Sequence, residues 1–253
     1  AYGVMSWWDY GHWITVEGER IPNANPFQEG PRTASSYFQE TNETRANMYL
    51  EALPSDEIGG AQLYGANESE LQAAIDARTE QEAGEETRYV MIDDQMVGGK
   101  FSAITEWTGP GASAYTSLQE FPAGNDSVSL QALNEQYDST MLSRMYFNDG
   151  STVGQADADA LEHYRLVYES PTQSTVLSVA QQTENGLRST GLTGIDIGTL
   201  QQYYPGVYNS INSPGGSFVP YDVRSESAVK TFERVEGATL TGEAEPNQTA
   251  QAS

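Results

Sequence analysis

The chain of 253 residues contains no cysteine, only two lysines and no long apolar segment. Without cysteine it forms no disulfide bond, no zinc site with cysteine ligands and no cysteine nucleophile. Because a membrane-spanning helix needs about 18 or more apolar residues in a row, we expect none in this sequence. Hydrophobic residues still make up 38% of the chain, which allows a packed core in one or two domains.

Basic residues are also scarce, with 12 Lys and Arg against 36 Asp and Glu, and the net charge is −24. This balance argues against nucleic acid as a partner, because phosphates need basic side chains, and against a polybasic contact with membrane lipids. One interpretation is an ordinary solvated acidic surface. The other is a halophilic protein. Molar salt shortens the Debye length to about 3 Å and so screens the repulsion between the acidic side chains of such a protein. Acid excess together with few lysines favours the halophile.

Hydrophobic periodicity predicts a mixed α/β fold. Helices are predicted over residues 35–52, 69–79, 95–107 and 139–147, and strands over residues 87–93, 163–169, 174–180 and 228–235. Residues 108–137 are expected to be rich in loops, and residues 181–222 have only weak periodicity. We expect a helix-rich central core, with a β-containing insertion or peripheral part in the second half.

The string Trp7-Trp8-Asp9-Tyr10-Gly11 is improbable in a chain with only four tryptophans. It supplies two indole N–H donors, an anionic acceptor and a large apolar surface. Such a set can bind a small group that bears both a hydroxyl and a methyl. The alternative is a pair of core or interface aromatics. Because the motif lies so near the first residue, we expect the chain to be a fragment of a longer protein.

A second segment, residues 93–104, places a rare lysine among apolar residues. On a helix, Met96, Lys100 and Ile104 share one face because they are four residues apart. The alternative is a core helix whose lysine extends along the surface to reach water. Gly98 and Gly99 each cost a helix about 1 kcal/mol relative to alanine, so close packing or a kink is expected there.

Other chemical signals are weak. His12 and His163 are the only histidines, and neither has the spacing of a known catalytic or metal motif. His12 borders the tryptophan motif without a catalytic pattern. Asp93-Asp94 and Asp157-Ala158-Asp159 resemble metal-ligand clusters, but such pairs arise by chance in a chain this acidic.

The two segments together resemble the catalytic subunit of oligosaccharyltransferase, called AglB in archaea. Residues 7–11 resemble its WWDYG signature, which is highly specific. The spacing Asp93-x-x-Met96-x-x-x-Lys100-x-x-x-Ile104 resembles a long archaeal variant of its second pocket motif, looser than the eukaryotic form. The resemblance is strong for residues 1–107 and only general beyond them. The acidic composition points to a haloarchaeal member.

This resemblance implies a multi-pass protein of the cell membrane with a C-terminal globular domain on the extracellular face. The enzyme is a glycosyltransferase that moves an oligosaccharide from a dolichol phosphate carrier to asparagine in Asn-x-Ser/Thr. The catalytic carboxylates and the Mn²⁺ or Mg²⁺ ion of the family lie in its transmembrane part. We therefore expect neither catalytic nor metal-binding residues in this chain, and no activity from it alone.

The resemblance also assigns roles to residues that bind the acceptor. Asp9 would accept the proton of the hydroxyl at the +2 position, and the indoles of Trp7 and Trp8 would donate to its oxygen. Ile104 would pack on the methyl of threonine, which favours threonine over serine by up to about 0.8 kcal/mol. Lys100 would either orient Asp9 or contact the pocket directly.

The remaining motif residues are expected to support the pocket. Tyr10 and Gly11 would shape the turn, and Asp93 and Met96 would belong to the supporting motif. The expected partners are the acceptor polypeptide, the dolichol-linked oligosaccharide and the transmembrane part of the same protein.

These expectations divide the chain into three ranges. Residues 1–107 form a core that carries both motifs, and residues 108–236 form the rest of the core with inserted or peripheral β-containing segments. Residues 237–253 form a polar tail, or a linker to a further domain. A different interpretation is a secreted or cell-surface binding module of a halophile, without an enzymatic parent.

Four sequons occur, beginning at Asn42, Asn67, Asn125 and Asn247. They either arise by chance in a chain rich in Ser, Thr and Asn or are glycosylated by the enzyme itself.

Overall fold

The computed structural model describes residues 2–25, 30–53, 63, 65–80, 86–124 and 126–237. Its strands are β1 (Gly3–Met5), β2 (Ile21–Pro22), β3 (Thr87–Asp93), β4 (Thr116–Ala123), β5 (Asp126–Leu133), β6 (Tyr164–Glu169), β7 (Gln173–Thr183), β8 (Gly186–Ser189), β9 (Ile195–Asp196), β10 (Phe218–Ser227) and β11 (Val229–Arg234). Its helices are α1 (Gly11–Val16), α2 (Pro31–Gln39), α3 (Glu43–Ala52), α4 (Glu68–Asp76), α5 (Asp94–Val97), α6 (Phe101–Thr108), α7 (Glu135–Asp138), α8 (Met141–Asn148), α9 (Ile197–Tyr203) and α10 (Pro205–Ile211). The mixed α/β fold is confirmed.

A five-stranded sheet in the order β2-β1-β3-β11-β6 joins the two halves of the chain. Strand β1 runs parallel to β2 and β3, whereas β11 is antiparallel to both of its neighbours, β3 and β6. Because β11 lies next to β3, the last described strand supports the strand that leads into the second motif. The predicted strands over residues 87–93, 163–169 and 228–235 are confirmed to within two residues.

A second sheet has the order β10-β7-β8, with β9 paired to β7. The chain passes between the two sheets twice, from β6 into β7 and from β10 into β11. At this crossing, Ala228 N–H donates to the carbonyl of Thr172 at 2.8 Å, and Asp94 N–H donates to the carbonyl of Ala228 at 2.9 Å. The second sheet is therefore joined directly to the start of α5.

The largest hydrophobic cluster draws its side chains from both halves of the chain. Trp7, Phe38 and Ile104 come from residues 1–107, and Tyr137 and Phe232 come from residues 108–236. The second sheet has a separate small cluster with α9 and α10, formed by Leu177, Val179, Ile195 and Leu200. Apart from Val176 of β7, which belongs to the main cluster, the buried apolar residues of this sheet lie outside the main core.

Three secondary-structure predictions were wrong. Residues 35–52 form two helices, because the chain turns at residues 40–42 and the side chain of Asn42 caps α3 by accepting from Arg45 N–H. Residues 95–107 are interrupted at residues 98–100. Residues 116–133, expected to be loop, form the hairpin of β4 and β5. The hairpin was missed because half of the residues of β4 are exposed, none is fully buried, and the strand has no continuous apolar face.

Within the described ranges, no helix is long and apolar enough to cross a membrane. The expected polar tail, residues 237–253, lies outside the described residues except for Gly237.

Candidate functional site

The tryptophan motif, residues 7–11, forms a tight turn between β1 and α1. Its Trp8–Tyr10 part is a single 3₁₀ turn, which the bond from Tyr10 N–H to the carbonyl of Trp7 closes at 3.0 Å. Gly11 lies so close to the neighbouring loop that a Cβ atom would come within 2.4 Å of the carbonyl oxygen of Ala24. Glycine is therefore required at the point where the motif enters α1.

The two tryptophans have different environments. Trp7 is only 2% exposed and belongs to the main core. Trp8 is partly buried, and its ring centroid lies 6.3 Å from that of Trp7 with an angle of 58° between the planes. Trp7 therefore anchors the turn, and Trp8 presents more of its indole to solvent.

The second motif begins where β3 ends. Asp93 caps α5, because its Oδ1 accepts from Met96 N–H at 2.9 Å. Residues 98–100 then form a turn that leads into α6. Met96 is fully buried in the main core. The predicted face of Met96, Lys100 and Ile104 is therefore divided between two short helices rather than formed by one.

Lys100 joins the two motifs across 91 positions of sequence. Its Nζ lies 2.5 Å from Oδ2 of Asp9 and 2.8 Å from the hydroxyl of Tyr10. The Tyr10 hydroxyl in turn donates a short hydrogen bond to Oδ2 of Asp93. Asp9, Tyr10, Asp93 and Lys100 thus form one continuous network, which we call the acidic network.

Asp9 keeps one carboxylate oxygen without a protein partner. Its side chain is 30% exposed, and that of Lys100 is 27% exposed. Among the described residues, Oδ1 of Asp9 is a buried acceptor that receives no hydrogen bond. A carboxylate oxygen left in this way costs free energy unless a donor reaches it. Oδ1 thus has capacity for one further hydrogen bond, but it has almost no accessible surface in this structure, so a ligand donor would reach it only after the groups that cover it move.

Ile104 does not line an open surface. Its side chain is fully buried, and its carbonyl accepts a hydrogen bond from the Ser35 hydroxyl at 2.6 Å. In this structure Ile104 is part of the core that supports the motifs.

Comparison with known proteins gives the family. A family model described as the AglB core domain matches residues 1–62. Dolichyl-phosphooligosaccharide-protein glycotransferase 3 of Archaeoglobus fulgidus is 28% identical over 98% of this chain and 29% of the relative. The dolichyl-monophosphooligosaccharide–protein glycotransferase AglB of Haloferax volcanii is 30% identical over 98% of this chain and 26% of the relative. The chain belongs to the AglB family. It thus spans less than a third of the length of these relatives.

A solved structure gives the same fold. Archaeal oligosaccharyltransferase AglB from Archaeoglobus fulgidus, in complex with an inhibitory peptide and a dolichol-phosphate, has a TM-score of 0.52 at 24% identity. The match covers 94% of this chain and 27% of that chain. The likeness therefore extends over both halves of this member of the AglB family.

The network contains one strongly perturbed acid. Burial raises the pKa of the Asp93 carboxyl to about 6, although the Tyr10 hydroxyl, Met96 N–H and Lys100 all act to lower it. Burial and the nearby Asp93 carboxylate also raise the pKa of the Tyr10 hydroxyl, so that it remains a hydrogen-bond donor at neutral pH.

The Asp93 pKa predicts how stability depends on pH. Since the folded-state pKa is raised, its stabilising contribution is complete below the unfolded pKa of about 4 and is lost as the pH rises through about 6. Urea denaturation of the wild type and Asp93→Asn across this range isolates the effect, since asparagine does not titrate. The free energy of unfolding of the wild type should fall relative to the variant as the pH rises. A constant difference would show that Asp93 titrates normally.

Outside the acidic network, the described residues include one group of carboxylates close enough together to share a metal ion. Asp149, Glu169 and Glu226 place carboxylate oxygens within 4.8 Å of one another. The ammonium of Lys230 lies 2.5 Å from Asp149 and 2.8 Å from Glu226 and offsets one of their three negative charges. In the Asp93-Asp94 pair, Asp93 binds Tyr10, and Asp94 accepts from Ser174. In this pair each of the four carboxylate oxygens already accepts a hydrogen bond.

The remaining candidates lie apart from the network. His12 is exposed beside the ring of Trp13, and His163 accepts from Gly237 N–H at 3.1 Å. A cavity of about 510 Å³ is lined by Gly98, Phe101 and residues of β5 and the β8–β9 connection, but not by Asp9 or Lys100. The acidic network is therefore not part of this cavity, and the volume of the cavity does not identify the network as a candidate site.

Two sequons coincide with helix caps. Asn42 and Asn67 each accept, through Oδ1, the backbone N–H three residues later, at the start of α3 and α4. The sequons at Asn125 and Asn247 lie on asparagines outside the described residues.

Residues in the second half of the chain contact the second motif, and the sequence did not predict them. Tyr137 donates to the carbonyl of Val97 at 2.6 Å, and Ser174 donates to Asp94. Asp196 accepts from Gly99 N–H at 2.8 Å. The tight Gly98-Gly99 pair was the signal that another segment packs there, but nothing in the sequence identified which segment.

Proposed function

We propose that this chain is the acceptor-reading part of an oligosaccharyltransferase. The whole enzyme would transfer an oligosaccharide from a dolichol phosphate carrier to asparagine in Asn-x-Ser/Thr sequons. The names of the relatives support the reaction class, and a peptide and dolichol-phosphate in a structural relative support the kinds of partner. The observation that carries the assignment is the carboxylate of Asp9, which has one oxygen on Lys100 and the other without a donor.

The free oxygen of Asp9 suits a hydroxyl donor. The hydroxyl of serine or threonine at the +2 position would donate to Oδ1 of Asp9 and accept from an indole N–H. Trp8 is better placed for this contact than Trp7, whose side chain is almost fully buried. A site that hydrogen-bonds a hydroxyl discriminates strongly against analogues without one, because its polar groups are then left unpaired.

The sequence left two roles open for Lys100, orienting Asp9 or contacting the pocket directly, and its contacts favour the orienting role. Its ammonium binds Oδ2 of Asp9 and the Tyr10 hydroxyl at the same time. It therefore holds Oδ2 of the Asp9 carboxylate, and Oδ1, which is covered in this structure, is the oxygen that movement of its neighbours would expose to the acceptor. Tyr10 and Asp93 complete the support, since Asp93 holds the tyrosine hydroxyl in place.

The rest of the enzyme would supply the chemistry. We propose that catalytic carboxylates and a Mn²⁺ or Mg²⁺ ion belong to a transmembrane part of the same protein, with this chain on the extracellular face. The carboxylates of the acidic network bind Lys100 and Tyr10, and Asp94 accepts from Ser174, so these side chains have a structural role in this chain. The excess of acidic residues is consistent with a protein that functions at high salt concentration.

We propose further that Ile104, which is fully buried in this structure, comes to lie behind the +2 methyl when the acceptor binds, and this role predicts a change in threonine preference. Since Ile104 is fully buried, Ile104→Ala would open a cavity and cost about 2–5 kcal/mol of stability, so Ile104→Val is the better test. If Ile104 forms the wall behind the +2 methyl, removal of one buried carbon should narrow the Thr/Ser ratio of kcat/KM by up to about fourfold.

The measurement compares Asn-Ala-Thr and Asn-Ala-Ser peptides in membranes that contain the full-length protein. Val90→Ala, which changes another fully buried residue of the main core, is the control for a general loss of packing. An unchanged ratio in Ile104→Val, or the same change in Val90→Ala, would remove Ile104 from the proposed pocket.

The function itself is tested with a peptide that lacks only the hydroxyl. Valine has nearly the shape of threonine, so transfer to Asn-Ala-Val should be lower than transfer to Asn-Ala-Thr by about 100-fold or more. Equal transfer to the two peptides would contradict hydroxyl recognition. Absence of transfer to any sequon peptide from a dolichol-linked donor would contradict the proposed reaction.

A further inference from the structure

The turn that carries Lys100 is in tight contact with the second sheet. A Cβ atom on Gly98 would lie 2.6 Å from the backbone nitrogen of Asp196, and one on Gly99 would lie 2.5 Å from Oγ1 of Thr199. These distances are shorter than any ordinary contact, so both glycines are required by the approach of β9 and α9. Two residues more than 90 positions away in sequence therefore define where this turn lies.

Asp196 makes this contact specific. Its side chain is fully buried, and its two carboxylate oxygens have different partners. Oδ2 accepts from Gly99 N–H at 2.8 Å, and Oδ1 accepts from Thr199 N–H at 2.7 Å, which caps α9. One carboxylate thus ties the turn before Lys100 to the first turn of α9.

The position of Gly99 fixes the start of the Lys100 side chain. Lys100 follows Gly99 directly, and its own N–H donates to the carbonyl of Gln95 at 2.8 Å. The Lys100 ammonium must then reach both Asp9 and Tyr10. A shift of the Gly99 peptide would move the origin of this side chain and change how it holds the Asp9 carboxylate.

We propose that Asp196 is a positioning residue for acceptor recognition, acting through Gly99 and Lys100 on Asp9. The inference rests on the proposed function and extends it to β9 and α9, a part of the chain outside the main core. Asp196 does not touch the acceptor. It holds the turn so that Lys100 leaves one oxygen of Asp9 free for the +2 hydroxyl.

Asp196→Ser separates this role from the helix cap. Serine is a good N-cap residue, but its single, shorter hydroxyl cannot bind both Thr199 and Gly99. In the full-length enzyme we expect the KM for an Asn-Ala-Thr peptide to rise about fivefold, the effect of one lost hydrogen bond, with kcat nearly unchanged. Asp196→Asn should also raise the KM. Its amide has only one oxygen, so its NH₂ group would face either Gly99 N–H or Thr199 N–H, and that hydrogen bond would be lost.

Asn67→Ala is the matched control. It removes the cap of α4, which has no bond to the acidic network, so its KM should equal that of the wild type. If Asp196→Ser leaves the KM unchanged, or changes it no more than Asn67→Ala does, the positioning role is wrong. If Asp9→Asn in the same assay also has no effect, the proposed function fails rather than the inference from it.

A second readout does not depend on activity. The chain has only two lysines, so ¹³C-labelled lysine gives one ε-CH₂ signal for Lys100 and one for Lys230. Asp196→Ser should shift the Lys100 signal and leave that of Lys230, which binds Asp149 and Glu226, in place. Movement of neither signal, or equal movement of both, would overturn the proposal.

Discussion

Asp9→Ala is expected to reduce kcat/KM for transfer to Asn-x-Thr peptides by about 100-fold. A hydrogen bond to a charged group contributes about 1.5–3 kcal/mol, and each 1.4 kcal/mol corresponds to about a tenfold change. The variant loses that bond to the acceptor and leaves Lys100 without its carboxylate partner. Asp9→Asn, which keeps the shape, should lose most of the same activity because its amide holds Lys100 less tightly.

The assay uses membranes that contain the full-length protein, with thermal unfolding to verify that the variants fold. Asp157→Asn is the control, because Asp157 is an exposed acid outside the acidic network and its loss changes net charge by the same amount. Rates for Asp9→Ala that match those of Asp157→Asn would contradict the role of Asp9.

Lys230→Met is expected to lower the free energy of unfolding by about 1–3 kcal/mol, because it leaves the carbonyl of Tyr146 without its donor and the partly exposed carboxylates of Asp149 and Glu226 without their cation. The Lys230 side chain is fully buried in β11 and donates to the carbonyl of Tyr146 at 2.8 Å as well as to Asp149 and Glu226. Methionine fills a similar volume but leaves the carboxylates near one another without a cation. Urea denaturation at constant salt measures the change.

Arg165→Met provides the comparison on the neighbouring strand β6. Its side chain is 66% exposed and pairs with Glu233, and exposed pairs contribute about 0–1 kcal/mol. Equal decreases in the free energy of unfolding for Lys230→Met and Arg165→Met would show that the burial of Lys230 does not increase its contribution to stability.

The short motifs were predictable because each of their residues has a distinctive chemistry. The pairing of Lys100 with Asp9 was foreseen as one of two roles, and Asp93 was foreseen as a supporting residue. The hydrogen bond between Asp93 and Tyr10 was not foreseen, because Tyr10 was expected only to shape the turn. Hydrogen bonds between residues 83 positions apart depend on the order of strands in the sheet, which periodicity does not reveal.

The burial of Ile104 and Trp7 could not be inferred either. An apolar residue on a helix face has the same pattern whether the face lines a pocket or a core. Likewise, the Gly98-Gly99 pair indicated close packing but not the neighbour, since Asp196 lies in a segment with weak periodicity. Local sequence thus predicted the residues of the candidate site, and tertiary packing determined which of them are exposed.

The central claim, that residues 7–11 recognise the +2 hydroxyl, is tested most directly by the indole N–H signals of the chain's four tryptophans. Titration with Asn-Ala-Thr and Asn-Ala-Val peptides compares ligands that differ chiefly in the hydroxyl. We predict that the threonine peptide shifts the Trp8 signal, and Trp7 to a smaller extent, while Trp107 stays in place and the valine peptide has little effect. Equal shifts with both peptides, or shifts confined to other tryptophans, would contradict the account.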